Sequence, residues 1–209
     1  MNRTDVSNNR FNLAWLYDNW NKSTIFLAVF VSAMLTLYVK NNNYALFLLW
    51  LQTPVCFLQQ FEEYILPGGF AGFFNKKVLG SDKSDFPFTK ARSFWVNIAL
   101  IFIAFPVSAI LSGQFALSIG LWTAYFSVIN SLPRVVMALK FKGYNPGLIV
   151  SVLFKIPLGV YVIYYFASNH IVSTKAQLTG LAIGLLCQVL LGLWGGKILK
   201  PLIKKENRL

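Results

Sequence analysis

The chain has 209 residues and a formal net charge of +12, yet 56% of its residues are hydrophobic and only 12% are charged. A soluble domain of this length needs more charge on its surface. The apolar residues form long continuous runs rather than alternating with polar ones, which excludes a membrane β-barrel. The basic residues cluster between these runs, where anionic lipid attracts them, so we expect no nucleic-acid partner.

The apolar runs predict an all-α polytopic transmembrane bundle of about six spans, because a helix needs roughly 20 apolar residues to cross the hydrocarbon. The predicted spans are 24–39, 44–66, 94–112, 115–137, 147–167 and 176–199. They form a single transmembrane domain over 24–199. A polar lead-in at 1–23 precedes it, a basic tail at 200–209 follows it, and the longest connection covers 67–93.

The distribution of Lys and Arg predicts the orientation in the cell membrane. Three lie in the lead-in, five in the 67–93 connection, two between the fourth and fifth spans, and five at or after Lys197. These fifteen fall on one side of the predicted bundle, and only Lys40 and Lys175 fall on the other. Since cytoplasmic segments are enriched in Lys and Arg, we expect both termini and the 67–93 connection in the cytoplasm.

The 67–93 connection begins with helix-stopping residues, Pro67-Gly68-Gly69. Phe70, Phe73 and Phe74 follow, and Lys76 and Lys77 come next. Aromatic residues beside lysines are typical of a segment that lies on the membrane surface. We therefore expect this part of the connection to be an anchor rather than a lid.

Charged residues inside membrane spans are costly and mark functional candidates. The acids are Glu62 and Glu63 at the end of the second span, and the bases are Arg134 and Lys155 in the fourth and fifth spans. Gln59 precedes the glutamates by one helical turn, Asn130 precedes Arg134 by one turn, and Asn97 lies near the start of the third span. In the predicted topology these side chains share the cytoplasmic half of the bilayer, so they could converge into one polar cluster.

Two interpretations of this cluster remain open. It could be a structural network in which a glutamate pairs with Arg134 or Lys155 and fixes the helix register. It could instead bind a polar headgroup, an ion or a proton. Glu62 and Glu63 are the candidate catalytic residues if the protein is an enzyme. Adjacent helical residues point about 100° apart, so we expect only one of them to face the cluster.

The last span carries a stripe of small residues that allows close helix approach. We favour packing within the monomer over a homodimer. The stripe consists of Gly180, Gly184, Gly192 and Gly196, with Gln188 between them. The only histidine, His170, falls in a short outer loop, and there is no Cys/His cluster, P-loop or nucleophile elbow. We expect no metal site and no cofactor.

The segment Gln59-Gln60-Phe61-Glu62-Glu63-Tyr64, with Pro67-Gly68-Gly69-Phe70 after it, resembles the signature of the HXXEE family of small bacterial membrane proteins. Further matches follow in the same order over about residues 50–165: Asn75, Asn130–Arg134, Tyr144–Leu148 and Leu153–Gly159. The resemblance adds Asn145 to the candidate cluster. The signature histidine is Gln59 here, and Arg134 stands where the resemblance implies a second histidine. Neither replacement can relay protons as an imidazole does, which favours a binding or structural site.

Three classes of function remain after these observations. The first is a non-catalytic membrane protein that binds a lipid headgroup or a partner protein, and we favour it because both motif histidines are replaced. The second is a membrane-embedded enzyme acting on a lipid or isoprenoid. The third is a small ion-coupled transporter, which at this size would need to oligomerise.

The predicted topology is testable by cysteine labelling of intact cells with an impermeant reagent. A cysteine at Lys175 should be labelled, whereas cysteines at Lys83 and Lys205 should react only after the cells are permeabilised. Labelling of position 83 from outside intact cells would contradict the predicted orientation.

Overall fold

The computed structural model describes residues 13–206, and every regular element in that range is helical. The early part of the predicted lead-in, 1–12, and the end of the predicted tail, 207–209, lie outside the described residues. The helices are α1 Leu13–Tyr38, α2 Tyr44–Trp50, α3 Gln52–Tyr64, α4 Phe70–Phe73, α5 Lys90–Gln114, α6 Leu121–Phe141, α7 Leu148–Ser168 and α8 Thr174–Glu206. A π-helical turn, Phe74–Leu79, continues α4, and a 3₁₀ turn, Leu117–Gly120, precedes α6.

Four of these helices are long and apolar enough to cross a membrane: α1, α5, α7 and α8. The all-helical membrane fold predicted from the sequence is therefore confirmed, although the count of about six spans is only approximate. The predicted spans 44–66 and 115–137 correspond to α2 with α3 and to α6, which do not qualify. α2 and α3 are separate helices of 7 and 13 residues, and each is too short to cross a membrane. α6 has 21 residues, but its polar residues, including Asn130 and Arg134, lower its hydropathy.

Two helix ends extend beyond the predicted spans. α1 begins at Leu13, inside the predicted lead-in, and α8 continues through the tail to Glu206. Neither extension contains a glycine, and only Pro201 interrupts the second one. Helices continue past the apolar stretch here because span prediction detects hydrophobicity, whereas a helix ends only where the backbone is interrupted.

Prolines shape the membrane helices locally. The π-helical segments Ile98–Ala104, Ser151–Lys155 and Trp194–Leu199 each end two residues before a proline. A proline has no N–H to donate, and its ring clashes with the carbonyl four residues earlier. A wider turn before the proline relieves that clash, and such turns are common in helices near functional sites.

α3 and α6 lie at the centre of the bundle. α6 packs against α7 and α8, while α3 packs against α1. One apolar cluster, around Leu48, Leu121 and Phe166, fills the end of the bundle at which α2 begins. A second cluster, around Cys56 and Phe105, fills the middle. The remaining end of α3 and α6 contains the polar residues.

The 67–93 connection folds inward over this polar end. The Asn75 amide donates to the carbonyls of Ser84 and Phe88 at 2.9 and 3.0 Å, and its Oδ1 accepts from the Phe88 N–H at 2.8 Å. Leu79 and Phe88 pack with Leu199 at the end of α8. Asn75 therefore fixes the loop that carries this small core.

The phenylalanine rings of this connection contact the protein itself, and the expectation that the segment is an anchor on the membrane surface stays a prediction. Phe70 and Phe74 belong to the apolar contacts of the loop core, and both line a cavity that is partly open to the surface. Phe73 contacts the ring of Phe141 at the end of α6. The basic residues Lys76 and Lys77 remain exposed. Aromatic rings beside lysines fit a membrane surface and a covered cavity equally well, so the pattern alone could not distinguish them.

The glycine stripe of α8 serves two different purposes. A Cβ atom at Gly184 would lie 2.9 Å from the backbone nitrogen of Phe126, and one at Gly180 would lie 3.3 Å from the Tyr125 ring. These two glycines allow α8 to pack closely on α6 within the monomer. Gly192 and Gly196 have no atom within 4 Å of an added Cβ, and both line the cavity.

Alanine substitutions in the two halves of the stripe should differ in their effect on the free energy of unfolding. Gly184→Ala should lower the free energy of unfolding by about 1–3 kcal/mol, because the methyl group overpacks the α6–α8 contact. Gly192→Ala should leave stability unchanged or raise it by up to about 1 kcal/mol, because alanine favours helix and meets open space. Thermal unfolding in one detergent compares the two, and equal destabilisation by both would contradict the described packing.

Candidate functional site

The parallel helices α3 and α6 face each other with matching polar stripes. Along α3 the stripe contains Cys56, Gln59 and Glu63, and along α6 it contains Ser127, Asn130 and Arg134. Residues separated by three or four positions share one helix face, so each stripe points in one direction. The two stripes meet at three levels. Glu63 pairs with Arg134, and Gln59 and Asn130 both accept hydrogen bonds from Lys155. Cys56 lies beside Ser127.

Glu63 and Arg134 form a buried ion pair, with 2.5 Å between Oε1 and Nη2. The two residues are only 4% and 8% exposed. The guanidinium carbon also lies 4.1 Å above the centre of the Phe70 ring, which is favourable for a cation. Charge pairing and ring contact together compensate for removing the guanidinium from water.

The turn between α6 and α7 closes around this pair. The Asn145 amide donates to the Arg134 carbonyl at 2.9 Å. Gly147 has a φ of +90°, and a Cβ atom there would lie 2.7 Å from Oε1 of Glu63. Only glycine satisfies both the left-handed backbone and the close approach to the carboxylate.

Glu62 has a different role from its neighbour. Its carboxylate accepts from the backbone N–H groups of Ile149 and Val150, at 2.9 and 2.7 Å, at the beginning of α7. A helix N-terminus has unpaired N–H groups and a partial positive charge, which a carboxylate satisfies. The Tyr144 hydroxyl also donates to Glu62 at 2.9 Å. Partial burial and the adjacent carboxylate raise the pKa of Tyr144, so its hydroxyl keeps the proton that it donates.

Lys155 joins three helices without an acidic partner. Its amine donates to Oε1 of Gln59 at 2.6 Å and to Oδ1 of Asn130 at 3.0 Å. The Gln59 amide in turn donates to the Ser151 hydroxyl, and the Asn130 amide donates to Gln188 on α8. Within residues 13–206, no carboxylate lies within ion-pair distance of Lys155, which is 1% exposed.

Most of the residues predicted from the sequence therefore meet, although not all in one cluster. Gln59, Asn130 and Lys155 form one hydrogen-bonded group, beside the pair of Glu63 and Arg134. Asn145 joins through a backbone carbonyl, and Glu62 faces α7. Asn97 lies on α5, where its amide donates to the Tyr64 hydroxyl at 3.2 Å and to the Ser93 carbonyl at 2.9 Å.

Several site residues were missed by the sequence reasoning. They are Gln60, Phe70, Tyr144, Ser151 and Gln188, all of which contact the network or line its cavity. Gln60, Phe70 and Tyr144 lie within the motif segments, but a motif does not say which way each side chain points. Gln188 lies within the glycine stripe, where it was interpreted as part of a packing surface.

A cavity of about 390 Å³ lies next to the ion pair, between α3, α5, α6 and α8. Its walls are mainly apolar, and the Phe70–Phe88 part of the connection contributes several aromatic residues. Polar groups converge at one region of the wall: Gln59, Gln60, Glu63, Asn97, Asn130, Arg134 and Gln188, with Lys200 from α8. This combination of apolar walls and convergent polar groups is typical of a ligand site.

Two buried polar groups of the cavity wall lack protein partners. Gln60 is 4% exposed, and its side-chain amide makes no hydrogen bond within the described part of the chain. Nη1 of Arg134 is also buried and without a partner among these residues. Buried polar atoms are nearly always satisfied by protein, water or ligand, and the cavity leaves room beside both groups for a water molecule or a ligand atom. No three His, Cys, Asp or Glu side chains within 13–206 are placed to hold a metal ion.

The ion pair can be tested with a double substitution. Arg134→Ala should cost roughly 3–5 kcal/mol of stability, because it leaves the Glu63 carboxylate buried and unpaired. Adding Glu63→Gln should restore part of that loss. Arg134→Ala combined with Glu62→Gln is the matched control and should restore nothing, because Glu62 is held by α7 and Tyr144. Unfolding in detergent measures all three, and equal rescue by both glutamine substitutions would contradict the separate roles.

Comparison with family models gives one match, described as "Protein of unknown function with HXXEE motif", over residues 50–162. Comparisons with curated proteins and with solved structures found no match. The matched range contains the polar residues of α3 and α6, the turn around Gly147 and the beginning of α7 with Lys155. Since it covers more than half of the chain, this protein belongs to the HXXEE family, with glutamine at the position of the motif histidine.

Proposed function

We propose that this protein binds one amphipathic lipid molecule in the cavity beside the ion pair. The observation that carries the proposal is the cavity itself, whose walls are apolar except where Gln60, Arg134 and their neighbours converge. A lipid chain matches the apolar walls, and a headgroup matches the buried polar groups that lack partners.

The arrangement of α5 and α8 supports entry from the bilayer. Both helices line the cavity, with Val96, Asn97 and Leu100 on α5 and Gly192 and Gly196 on α8. Both glycines are exposed and have no neighbouring atom where a side chain would begin. A lipid chain could therefore pass between these helices without leaving the hydrocarbon. With the orientation predicted from Lys and Arg, the headgroup would come from the cytoplasmic leaflet.

The contacts of the two glutamates favour binding over catalysis. Glu62 accepts three hydrogen bonds, and Glu63 is paired with Arg134. A general base needs a carboxylate oxygen within reach of the proton that it removes. Glu62 is also absent from the cavity wall. Both carboxylates therefore act in the proposal as structural groups that place Arg134 and α7.

Filling the cavity should remove the lipid. Gly192→Phe directs a large side chain into open space in the cavity, so the protein should still fold while several-fold less lipid remains bound after purification in mild detergent. Ala99→Phe is the matched control, because Ala99 is an exposed residue of α5 that does not line the cavity. Native mass spectrometry and lipid extraction measure the lipid per protein.

The expected result is loss of bound lipid in Gly192→Phe and retention in Ala99→Phe. Equal retention in both variants and the unmodified protein would overturn the proposal, because bound lipid would then lie elsewhere on the protein.

A further inference from the structure

The charges around the cavity are unbalanced. Arg134 and Lys200 line it, and Lys155 lies directly behind the Gln59 and Asn130 side chains of its wall. Glu63 is the only carboxylate that lines it among the described residues. One acid therefore faces three bases, and it is already paired with Arg134.

Glu62 does not correct this imbalance. Its two oxygens receive the N–H groups at the start of α7 and the Tyr144 hydroxyl, so its negative charge is directed toward α7. Among the described residues, the hydrogen-bond partners of the buried Lys155 amine are two neutral amide oxygens. An unpaired charge in apolar surroundings is costly, and the cost falls when an opposite charge lies nearby. The cavity is where such a charge has room.

The polar groups that could contact a ligand come from separate helices. Nη1 of Arg134 on α6 is a buried donor without a partner among the described residues, and Oε1 of Gln60 on α3 is a buried acceptor without one. The exposed Lys200 lines the cavity from α8 and adds a second cationic donor. A carboxylate offers two oxygens in one plane, which suits a single guanidinium. A phosphate ester carries its oxygens in a tetrahedral arrangement, which suits donors that approach from several directions.

We propose that the ligand's polar group is an anionic phosphate ester, which supplies the missing negative charge and accepts from Arg134 and Lys200, while a hydroxyl group of the same headgroup donates to Oε1 of Gln60. This inference rests on the proposed lipid-binding function, since it names the headgroup of the same ligand. The Glu63 carboxylate does not oppose it, because Arg134 neutralises that charge while Lys155 and Lys200 remain in excess. The free Oε1 of Gln60 suits a hydroxyl group of the headgroup.

The test is lipid competition on delipidated full-length protein, measured by native mass spectrometry. Phosphatidylglycerol and phosphatidylcholine with identical chains are compared, and inorganic phosphate is added as a soluble competitor. We expect phosphatidylglycerol to bind at least tenfold more tightly than phosphatidylcholine. We also expect inorganic phosphate to displace neither lipid, because the chain contributes part of the binding.

A pair of lysine substitutions assigns the preference to this cavity. Lys200→Gln should weaken phosphatidylglycerol binding about fivefold and leave phosphatidylcholine unchanged, which is the effect of one basic residue near an anionic lipid. Lys197→Gln is the matched control, because Lys197 is an exposed residue of the same helix that does not line the cavity. Equal effects of the two substitutions would overturn the assignment to the cavity.

Gln60→Leu separates a ligand contact from a structural role. Because the Gln60 amide has no protein partner, leucine should keep or raise the unfolding temperature of the lipid-free protein. The same change should weaken phosphatidylglycerol binding several-fold. If the variant binds phosphatidylglycerol as the unmodified protein does, Gln60 is not a headgroup contact and the inference fails for this residue.

The remaining outcomes distinguish the two proposals. Equal affinity for both lipids would overturn the anionic headgroup and leave lipid binding intact. Binding of neither lipid would overturn the proposed function as well. If inorganic phosphate binds and neither lipid does, the result supports the anion chemistry and shows that the ligand is a soluble phosphate compound rather than a lipid.

Discussion

The buried ion pair between Glu63 and Arg134 joins α3 to α6, and the neighbouring elements are arranged around it. Leaving either charge unpaired in this apolar bundle would be costly, which favours the arrangement in which the two helices meet with these residues facing each other. Phe70 lies against the guanidinium, Asn145 holds the Arg134 backbone, and Gly147 leaves room for the carboxylate. Motif segments that are far apart in the chain thus all contact or surround the same ion pair.

The adjacent residues Glu62 and Glu63 of α3 together fix the positions of α6 and α7 relative to α3. Glu63 points to α6, while Glu62 satisfies the beginning of α7. The connection from α6 to α7 is short and contains Gly147, so fixing its two ends also fixes the direction in which α7 leaves. Lys155 then falls opposite Gln59 and Asn130 and links all three helices on their inner side.

The cavity follows from the same arrangement. The polar contacts hold α3, α6 and α7 together, while α8 packs closely on α6 at Gly180 and Gly184. Beyond Gln188, α8 leaves open space at Gly192 and Gly196, and α5 also lines the cavity. The loop held by Asn75 contributes Phe70 and Phe88 to the cavity wall, so one phenylalanine contacts both the ion pair and the proposed ligand site.

By itself, the sequence determined that the chain is an all-helical bundle with apolar helices and polar residues in its interior. It also identified the family and most of the residues that meet at α3 and α6. These features depend on composition, local spacing and motif order, which indicate whether a segment lies in an apolar or a polar environment. Only the tertiary structure decided that Glu63 rather than Glu62 pairs with Arg134, that Phe70 turns inward, and that the glycine stripe divides between packing and cavity. Each of these depends on how one helix is rotated and aligned against another. Adjacent residues such as Glu62 and Glu63 point about 100° apart, so a small rotation exchanges their partners, and no local pattern records that rotation.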